Sequence, residues 1–545
     1  MSNPKSAVPA GSPRESERLE SWKEIAAYLQ RDIRTLHRWE LHEGLPIHRH
    51  VHRSRGSVYA FRRELDEWRE GRRASGGVAA QLAVMLAVLP FENLSGTPAE
   101  DYFSDGFTED VITHLGRLRG KGLGVIARTS MMRYKATRKS IREVARELRV
   151  DYVLEGSVRR AADRVRVTAQ LIQVADQTHL WAESYDRDAR DILWVQDDIA
   201  RAVATRTGAM LTRRSDTAHD AAAAVNPQAF DAYLKGQSHW YKLSRHHLDT
   251  AFEYFELALT HDPQYALAYE GIARVWLMRS DAGWLPPSDT VAKAKAAALK
   301  AIELDDELGA VHVTVANIKF CNEWDWQGAE AEFRRAIELN PNSAEARLFY
   351  ADFLMSIGRP EHAAAEMARA LELDPFNFFI RCFHGWHLVY RGACDAALEP
   401  LQAAVRDEPH FSSAHLGLWG AFYATRRFDQ ALAAAAAFFS SIGDDETCRD
   451  LVGSGEPGYR AAMARAAQRL ARQSAGAHVA ATRVSRLYAH ASDVDCAFEW
   501  LERAYARRES PLVHLNVGWD WVTLRRDARF RDLLRRIGFP RVASR

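Results

Sequence analysis

The sequence lacks several features that would assign it to a specialised class of protein. It has five cysteines and no Cys-X-X-Cys pair, which argues against a disulfide framework and for a reducing compartment. Its longest apolar run falls short of the roughly 20 residues that a membrane span needs. Its first 20 residues are too polar for a secretory signal. These absences predict a cytoplasmic protein that does not contact a membrane.

Motifs for catalysis and metal binding are missing as well. The chain has no His-Glu-X-X-His, no Gly-X-Ser-X-Gly and no Walker phosphate-binding motif. Residues 120–124 are rich in glycine, but no Ser or Thr follows Lys121 as a phosphate-binding loop requires. The many carboxylates fall on predicted solvated helix faces. We therefore expect a protein that is not an enzyme and that holds no cofactor.

A net charge is nearly absent from the whole chain but not from its parts. The 545 residues include 73 Lys and Arg against 72 Asp and Glu, a length that predicts about three or four domains. Residues 1–75 hold 15 basic and 11 acidic residues, and residues 83–212 hold 19 and 18, so the remainder is acidic. A basic head and an acidic tail indicate that the two ends contact different partners.

The basic head predicts two short helices joined by a tight turn. Ser21 and Glu24 match a capping box, in which two side chains satisfy free backbone donors at the start of a helix. Asp32 can cap a second helix, which runs to Glu40 before a Gly-Leu-Pro sequence stops it. The second helix of such a pair can enter the major groove of DNA.

The residues that follow predict a two-stranded wing. Residues 47–53 and 57–61 read as strands around a turn, and residues 62–72 read as a closing helix. Between Arg31 and Arg63 the sequence has eight Arg, five His and only three acids. That density of positive charge suits contacts with phosphates and base edges.

The string SWKEIAAYLQRDIRTLHRWELHEGLPIHRH resembles the excisionase/MerR-like winged helix-turn-helix, and the resemblance covers residues 19–72. It implies a domain that binds double-stranded DNA. By position it places Arg31, Arg34, Thr35, His37 and Arg38 on the recognition helix, and Arg49, Arg53 and Arg55 on the wing. The alternative is a protein-docking domain with a solvated basic face. Because one small domain binds DNA weakly, we expect a homodimer or several DNA sites.

Three histidines alternate along the predicted wing: His48, His50 and His52. Side chains that share one face of a strand can hold a metal ion. The wing surface is the interpretation we favour, and we predict no metal.

Residues 82–212 alternate strand and helix patterns, which predicts a compact α/β domain. The strings LAVLPFENLSG and VIARTSMMRYKATRKSIREVARELRVDYVLEGSVRR resemble a TolB-like N-terminal α/β domain. In bacteria that domain lies between a DNA-binding or signalling module and tetratricopeptide repeats, so the resemblance implies a fold and no reaction. Within it, residues 117–149 carry eleven Lys and Arg and two acids. They could bind phosphate, nucleic acid or the acidic repeats, although a solvated face is the simpler interpretation.

From about residue 226 onward the chain repeats. Pro341, Pro375 and Pro409 are 34 residues apart, each after an amphipathic helix, and 34 residues is the tetratricopeptide period. This part resembles a degenerate tetratricopeptide array, which buries a continuous core and leaves a concave groove for a protein or peptide partner. Packing between helices is the interpretation we favour for its tryptophans Trp324, Trp326, Trp386 and Trp419.

The sequence thus predicts a multidomain chain. A disordered tail covers residues 1–17, a winged helix-turn-helix residues 18–75, the α/β domain residues 82–212, a linker residues 213–228 and an all-α tetratricopeptide-like solenoid residues 229–540. Our hypothesis is a bacterial DNA-binding transcription regulator whose repeats sense a signal or bind a protein. The alternative is a cytoplasmic signalling scaffold that uses its N-terminal domain and its repeats for protein docking.

Overall fold

The computed structural model divides the chain into two compact units, residues 1–80 and residues 81–545. The described residues are 18–19, 21–29, 36, 45–49, 58–62, 64–66, 84–117, 123–161, 164–207, 226–242 and 244–540. No helix within these ranges is both long enough and apolar enough to cross a lipid bilayer.

The described residues of the N-terminal unit include a three-stranded antiparallel sheet and a helix that precedes most of it. Its elements are β1 (Arg18–Leu19), α1 (Trp22–Leu29), β2 (His48–Arg49) and β3 (Val58–Phe61). Strand β3 lies between β1 and β2. The pairing of β2 with β3 agrees with the predicted hairpin. The pairing of β1 was not predicted, because two residues are too few to form a readable pattern.

Buried side chains from several parts of this unit form its core. The backbone N–H of Glu24 donates to Ser21 Oγ at 3.2 Å, as the predicted capping box requires. Ile25, Leu36 and Leu65 are fully buried, and Leu36 has helical backbone. The rest of the predicted second helix, the turn of the hairpin and most of the closing helix lie outside the described residues. The helix-turn-helix therefore stays a prediction.

The larger unit begins with a mixed sheet flanked by helices, here called the mixed-sheet domain. Its elements are β4 (Val84–Val88), β5 (Glu92–Asn93), α2 (Asp101–Arg117), β6 (Leu123–Val125), α3 (Arg128–Met132), α4 (Ile141–Leu148), β7 (Tyr152–Ala161), β8 (Arg164–Gln173), β9 (His179–Asp188) and α5 (Ile192–Thr207). The strand order is β6-β4-β7-β8-β9, and β5 pairs with β7. Strand β4 runs parallel to β6 and β7, whereas β7, β8 and β9 are antiparallel.

The pattern of apolar residues in each strand of this domain matches the burial of that strand. Strand β4 lies between two neighbours, so it is apolar almost throughout. Strand β8 alternates, with Val165, Val167, Ala169 and Leu171 buried. Ser140 and Glu143 form the predicted capping box of α4. Strand β9, by contrast, buries only Trp181 and Tyr185, which is too weak an alternation to predict a strand.

The rest of the unit is helical and folds as antiparallel pairs. The helices are α6 (Pro227–Trp240), α7 (Arg245–His261), α8 (Ala266–Asp281), α9 (Pro287–Leu304), α10 (Gly309–Ile318), α11 (Trp326–Leu339), α12 (Ala344–Ser356), α13 (Pro360–Leu373), α14 (Phe378–Tyr390), α15 (Cys394–Asp407), α16 (Ser412–Ala424), α17 (Phe428–Ser441), α18 (Asp445–Asp450), α19 (Gly455–Gln473), α20 (Ala481–Ala491), α21 (Val494–Ala506) and α22 (Ala528–Ile537). Helices α12, α14 and α16 begin 34 residues apart, which confirms the predicted period.

Small and large residues alternate at the contacts between paired helices. Phe255 of α7 is fully buried, and a Cβ on Gly236 or Gly271 would lie 2.5 or 2.7 Å from its ring. Phe333 occupies the equivalent place in α11, between the buried Ala329 and Ala336. A large side chain against small ones lets neighbouring helices approach closely.

The predicted helix ends are confirmed as well. Asp262, Asn340, Asp374 and Glu408 each cap the C-terminus of the second helix of a pair, and so does Asp305. The proline that follows four of these residues cannot continue a helix, so each pair ends at the same point of the repeat.

The loops after these caps hold the mixed-sheet domain. Asn342 Nδ2 donates to the carbonyl oxygens of Gly116 at 3.3 Å and Leu123 at 3.2 Å. Asn342 Oδ1 accepts the backbone N–H of Val125 at 3.4 Å. One repeat later, Asp374 accepts the backbone N–H of Ser130 at 2.9 Å and its hydroxyl at 2.5 Å. The domain therefore contacts two equivalent loops of successive repeats.

Helix α2 adds an apolar contact with the first helix of the array. A Cβ on Gly106 would lie 2.5 Å from Leu234 of α6, and Phe103 meets Phe230 edge to face at 6.3 Å. Asp231 accepts hydrogen bonds from Tyr102 at 2.5 Å and from Arg160 at 2.7 Å. The mixed-sheet domain and the repeats thus share one core.

Candidate functional site

Most of the predicted DNA-binding residues lie outside the described residues. These are Arg31, Arg34, Thr35, His37, Arg38, Arg53 and Arg55. Arg49 belongs to β2 and pairs with Val58 of β3, but its side chain is not described. The DNA-binding surface therefore stays a prediction, and β2 with β3 is the part of it that the structure places.

Of the three wing histidines, the structure describes His48. Its Nε2 lies 2.7 Å from Glu64 Oε2, and its ring stacks on Tyr59 with a centroid distance of 5.1 Å. His48 therefore belongs to a surface cluster of the small sheet. His50 and His52 lie outside the described residues.

The basic stretch 117–149 makes specific contacts with its surroundings. The guanidinium of Arg128 lies 4.0 Å above the ring of Tyr241, and that of Arg133 lies 4.7 Å above Phe376. Lys135 pairs with Asp101 and Asp105. Two arginines of this stretch thus pack on aromatic residues of the repeats rather than on their carboxylates, and this helps to hold the mixed-sheet domain in place.

The first helices of successive pairs form the inner surface of the repeats. Helices α8, α10, α12, α14 and α16 each contact the next one along the array. This inner surface is the place where the sequence predicts an open groove. The structure differs from that prediction, because residues 507–525, here called the return segment, lie on this surface and contact Glu323 and Trp324 after α10 and helices α12, α14 and α16.

The return segment buries apolar side chains in the core of the repeats. Five of them are almost fully buried: Leu512, Val513, Leu515, Trp521 and Leu524. Burial of one such side chain is worth about 1.5–3 kcal/mol, so the segment is held as firmly as a core element. Trp519 lies so close to α16 that a Cβ on Gly420 would be 2.1 Å from its ring. Glycine at position 420 is therefore required by this close approach.

The first anchor of the segment lies beside a π-helical turn, Lys319–Glu323, that follows α10. The Arg508 guanidinium lies 3.9 Å above the ring of Trp324 and donates to the carbonyl oxygen of Glu323 at 3.2 Å. Asn322 Nδ2 donates to the carbonyl oxygen of Arg508 at 3.4 Å. The widened turn thus presents backbone and side-chain groups to Arg508, as π-turns often do at contact sites.

A second anchor pairs a histidine of the segment with a buried carboxylate of the array. His514 Nε2 lies 3.0 Å from Asp352 Oδ2 on α12, and His387 of α14 lies 3.5 Å from Oδ1 of the same carboxylate. Burial alone would raise the pKa of Asp352, but His514 and His387 hold it well below its usual range. Asp352 is therefore an ionised carboxylate enclosed by two imidazoles.

A third anchor reverses this arrangement, because here the segment supplies the carboxylate. Asp520 Oδ1 lies 2.8 Å from Arg486 Nε and 3.3 Å from His490 Nε2 on α20. The other ring nitrogen of His490 bonds to the hydroxyl of Tyr459, which accepts a hydrogen bond from Trp419 Nε1 at 2.7 Å. Burial lowers the pKa of His490. The segment is thus linked to three helices by one buried polar network.

The predicted packing role of the tryptophans agrees with these contacts. Trp324 and Trp419 are buried, Trp326 stacks on Phe539 at 5.0 Å, and Trp386 donates to the carbonyl oxygen of Ser413 at 3.0 Å. These side chains hold helices together, and three of them also contact the return segment: Trp324, Trp386 and Trp419.

Two parts of the chain match models of known protein families. Residues 82–202 match the family model of the HilA/YgeH-like transcriptional regulator, second domain. Residues 323–377 and 384–441 match tetratricopeptide repeat models. The chain carries a HilA/YgeH-like transcriptional regulator domain and tetratricopeptide repeats. The TolB-like resemblance stays a prediction.

A curated relative is similar over part of its length. A protein of Rhizobium meliloti (strain 1021) named putative adenylate cyclase 3 is 38% identical over 232 residues, which are 42% of this chain and 39% of the relative. The chain thus spans about two fifths of the length of that relative.

Two solved structures are similar at the level of the repeats. One is YrrB, described as a tetratricopeptide protein with an unusual peptide-binding site, at 18% identity and a TM-score of 0.24 over 36% of this chain and 95% of that one. The other is PilF of Pseudomonas aeruginosa, at 15% identity and a TM-score of 0.29 over 41% and 98%.

Proposed function

We propose that the protein is a DNA-binding transcription regulator whose N-terminal unit contacts DNA. The observation that carries this proposal is the match of residues 82–202 to the second domain of a family of transcription regulators. The basic unit of residues 1–80 precedes that domain in the chain, in the place of a first domain. Its excess of arginine supplies the charge that phosphate contacts need.

In this proposal the recognition helix and the wing contact different parts of the DNA. Arg31, Arg34 and Arg38 would face phosphates or base edges of the major groove, with Thr35 and His37 beside them. Arg49, Arg53 and Arg55 would follow the backbone from the wing. Strands β2 and β3, which carry the wing, are antiparallel neighbours, and this arrangement supports the assignment.

The repeats would supply the protein contacts of the regulator. Tetratricopeptide repeats imply a protein or peptide partner, but the return segment covers their inner surface. We infer that a partner binds the outer surface, which is formed by the second helices. Leu257 of α7 and Leu299 of α9 are exposed there by 42% and 49% and would supply apolar contacts.

The DNA proposal is tested by the salt dependence of duplex binding. The full chain is titrated into a short fluorescent duplex at rising KCl, and the logarithm of the affinity is plotted against that of the salt concentration. We expect a steep negative slope, because each phosphate contact contributes about −0.9. Replacing Arg34 and Arg38 with Ala should weaken binding and make the slope shallower by about 2 if both contact phosphates.

The matched control is Arg531→Ala, since Arg531 is an exposed arginine on α22. It should leave both affinity and slope unchanged. Absence of duplex binding even at low salt would overturn the proposal and favour a protein-docking role for the N-terminal unit.

We also infer that the chain has no enzymatic activity of its own. Its similarity to the putative adenylate cyclase covers only part of either chain, and residues 1–75 are too short to form a cyclase domain. Incubation of the full chain with ATP and Mg²⁺ or Mn²⁺ should give no cyclic AMP above buffer. Cyclic AMP production that rises with protein concentration would contradict this inference.

A further inference from the structure

A cleft of about 530 Å³ lies where the two ends of the repeat array approach each other. One wall comes from Arg245 at the start of α7 and from Trp284 in the loop after α8. The opposite wall comes from the loop between α17 and α18 and from the residues that lead into α20, including His478 and Arg483. These walls are far apart in the sequence, so the cleft exists only because the array closes on itself.

Arg483 is the most enclosed cation of this cleft. A Cβ on Gly283 would lie 3.2 Å from its Nη2, and its guanidinium lies 5.8 Å from the ring of Phe438. Burial lowers its pKa, which is the behaviour of an arginine without a close counter-ion. Within the described part of the chain, no carboxylate forms an ion pair with it, and Asp444 and Glu509 act on it only from a distance.

The carboxylates that act on Arg483 from farther away have other partners. Asp444 accepts the backbone N–H of Thr447 at 3.0 Å. Glu509 accepts those of Ala481 and Thr482 at 2.8 and 2.9 Å. Each carboxylate is thus committed to the start of a helix, and neither neutralises the guanidinium of Arg483.

The facing wall offers a second cation and a flat apolar surface. The Arg245 guanidinium lies 5.9 Å from the ring of Trp284, and no carboxylate of the described residues forms an ion pair with it. Trp284 is half-buried, and the apolar side chains of Ile442, Leu470 and Val479 complete the lining. Two guanidinium groups beside an aromatic ring favour an anion attached to a planar group.

We propose that this cleft binds a small organic anion, with its carboxylate or phosphate oxygens between Arg245 and Arg483 and its planar part against Trp284. Guanidinium groups bind either kind of oxygen through paired N–H donors, and the volume lies within the usual range for small ligands. Asp445 and Glu446, which also line the cleft, disfavour a highly charged polyanion such as DNA. This ligand would bridge the first and last parts of the array and stabilise its closed form.

The experiment uses the full chain and three probes: adenosine monophosphate, benzoate and inorganic phosphate. Binding is measured by calorimetry and by the shift in Tm. We expect at least one of the two organic anions to bind and to raise Tm, and inorganic phosphate to bind more weakly. Binding of adenosine monophosphate alone identifies a phosphate-bearing ligand, and binding of benzoate alone identifies a carboxylate-bearing one.

Substitutions test the assigned residues. Arg483→Gln and Arg245→Gln should each weaken the organic anion about tenfold or more, as expected for loss of a charge-assisted contact. Arg245 is exposed, so its replacement leaves the fold intact and keeps the test decisive. Arg531→Gln, remote from the cleft in the sequence and on α22, should bind as the wild type does.

Three results would overturn the proposal. The first is that neither organic anion binds at millimolar concentration. The second is that inorganic phosphate binds as tightly as the organic probes. The third is that Arg245→Gln and Arg483→Gln retain the wild-type affinity. These outcomes do not depend on DNA binding, so the proposal can fail independently of the proposed function.

Discussion

The mixed-sheet domain and the return segment both cover the repeats, but each meets a different part of them. Besides the apolar contact of α2 with α6, the domain contacts repeat loops, where Asn342 and Asp374 bond to backbone groups and to a hydroxyl. The return segment contacts the inner helices, where it inserts Leu512, Leu515 and Leu524 into the core. The polar contacts of the loops fix the position of the domain, whereas burial of apolar side chains supplies most of the stability of the return segment.

The largest effect should come from the apolar contact of the return segment. Leu515→Ala removes a fully buried side chain and should lower the free energy of unfolding by about 2–5 kcal/mol. Val522→Ala is the control within the same segment, because Val522 is 57% exposed and should change stability by less than about 0.5 kcal/mol. Chemical denaturation of both variants checks the difference. Equal effects would mean that the segment does not belong to the core.

A smaller effect is expected where the segment touches α16. Gly420→Ala places a methyl group in contact with Trp519 and should cost about 1–3 kcal/mol through overpacking. Combining it with Trp519→Ala should remove most of the penalty attributed to position 420, as a double-mutant cycle would measure.

Gly476→Ala is the matched control, since nothing lies within 4 Å of a Cβ there. It should be close to neutral. Additive effects of Gly420→Ala and Trp519→Ala would show that the two residues are not in contact.

The polar contact of the mixed-sheet domain should be weaker. Asn342→Ala leaves two carbonyl oxygens and one backbone N–H without their partner and should cost about 1–2 kcal/mol. Gln228→Ala, at an exposed position of α6, is the control and should be neutral. Limited proteolysis of the mixed-sheet domain should accelerate in Asn342→Ala only. Unchanged proteolysis would contradict the assigned role of this contact.

The smallest effect concerns pH at the contact between α2 and the helices around it. Burial raises the pKa of Asp110 to about 7, from 3.8 in an unfolded chain, so the folded state holds a proton that the unfolded state has released. Stability therefore falls as pH rises from 3.8 towards 7, and the loss persists at higher pH. Relative to the wild type, Asp110→Asn should gain about 1 kcal/mol for each pH unit between roughly pH 5 and pH 7. A constant difference across that range would contradict the raised pKa.

The sequence predicted the repeats because their signals are local and recur. Proline after an acidic or amide cap marks each helix end, and the 34-residue spacing of Pro341, Pro375 and Pro409 sets the period. Strands of the mixed-sheet domain could be predicted where burial on both faces, or burial of alternate residues, left a pattern in the sequence. Strand β9 left none, because only two of its ten residues are buried.

The covering of the inner surface could not be read from the sequence. The return segment has no regular helix or strand over most of its length, so its apolar residues show no period. Its polar partners, Asp352, His387 and His490, come from three helices that only the fold brings together. The one available signal was the cluster of aromatic and apolar residues around Trp519 and Trp521, which is unusual for an exposed terminal stretch.

Hydrogen exchange of the return segment tests the central claim most directly, because exchange reports local opening. In the full chain, amides of residues 512–524 that are buried or hydrogen-bonded should exchange as slowly as those of α12 and α14. Leu515→Ala should accelerate their exchange, whereas Val522→Ala should not. Exchange as fast as that of an exposed loop, in the wild type and both variants alike, would show that the inner surface is open and contradict the account.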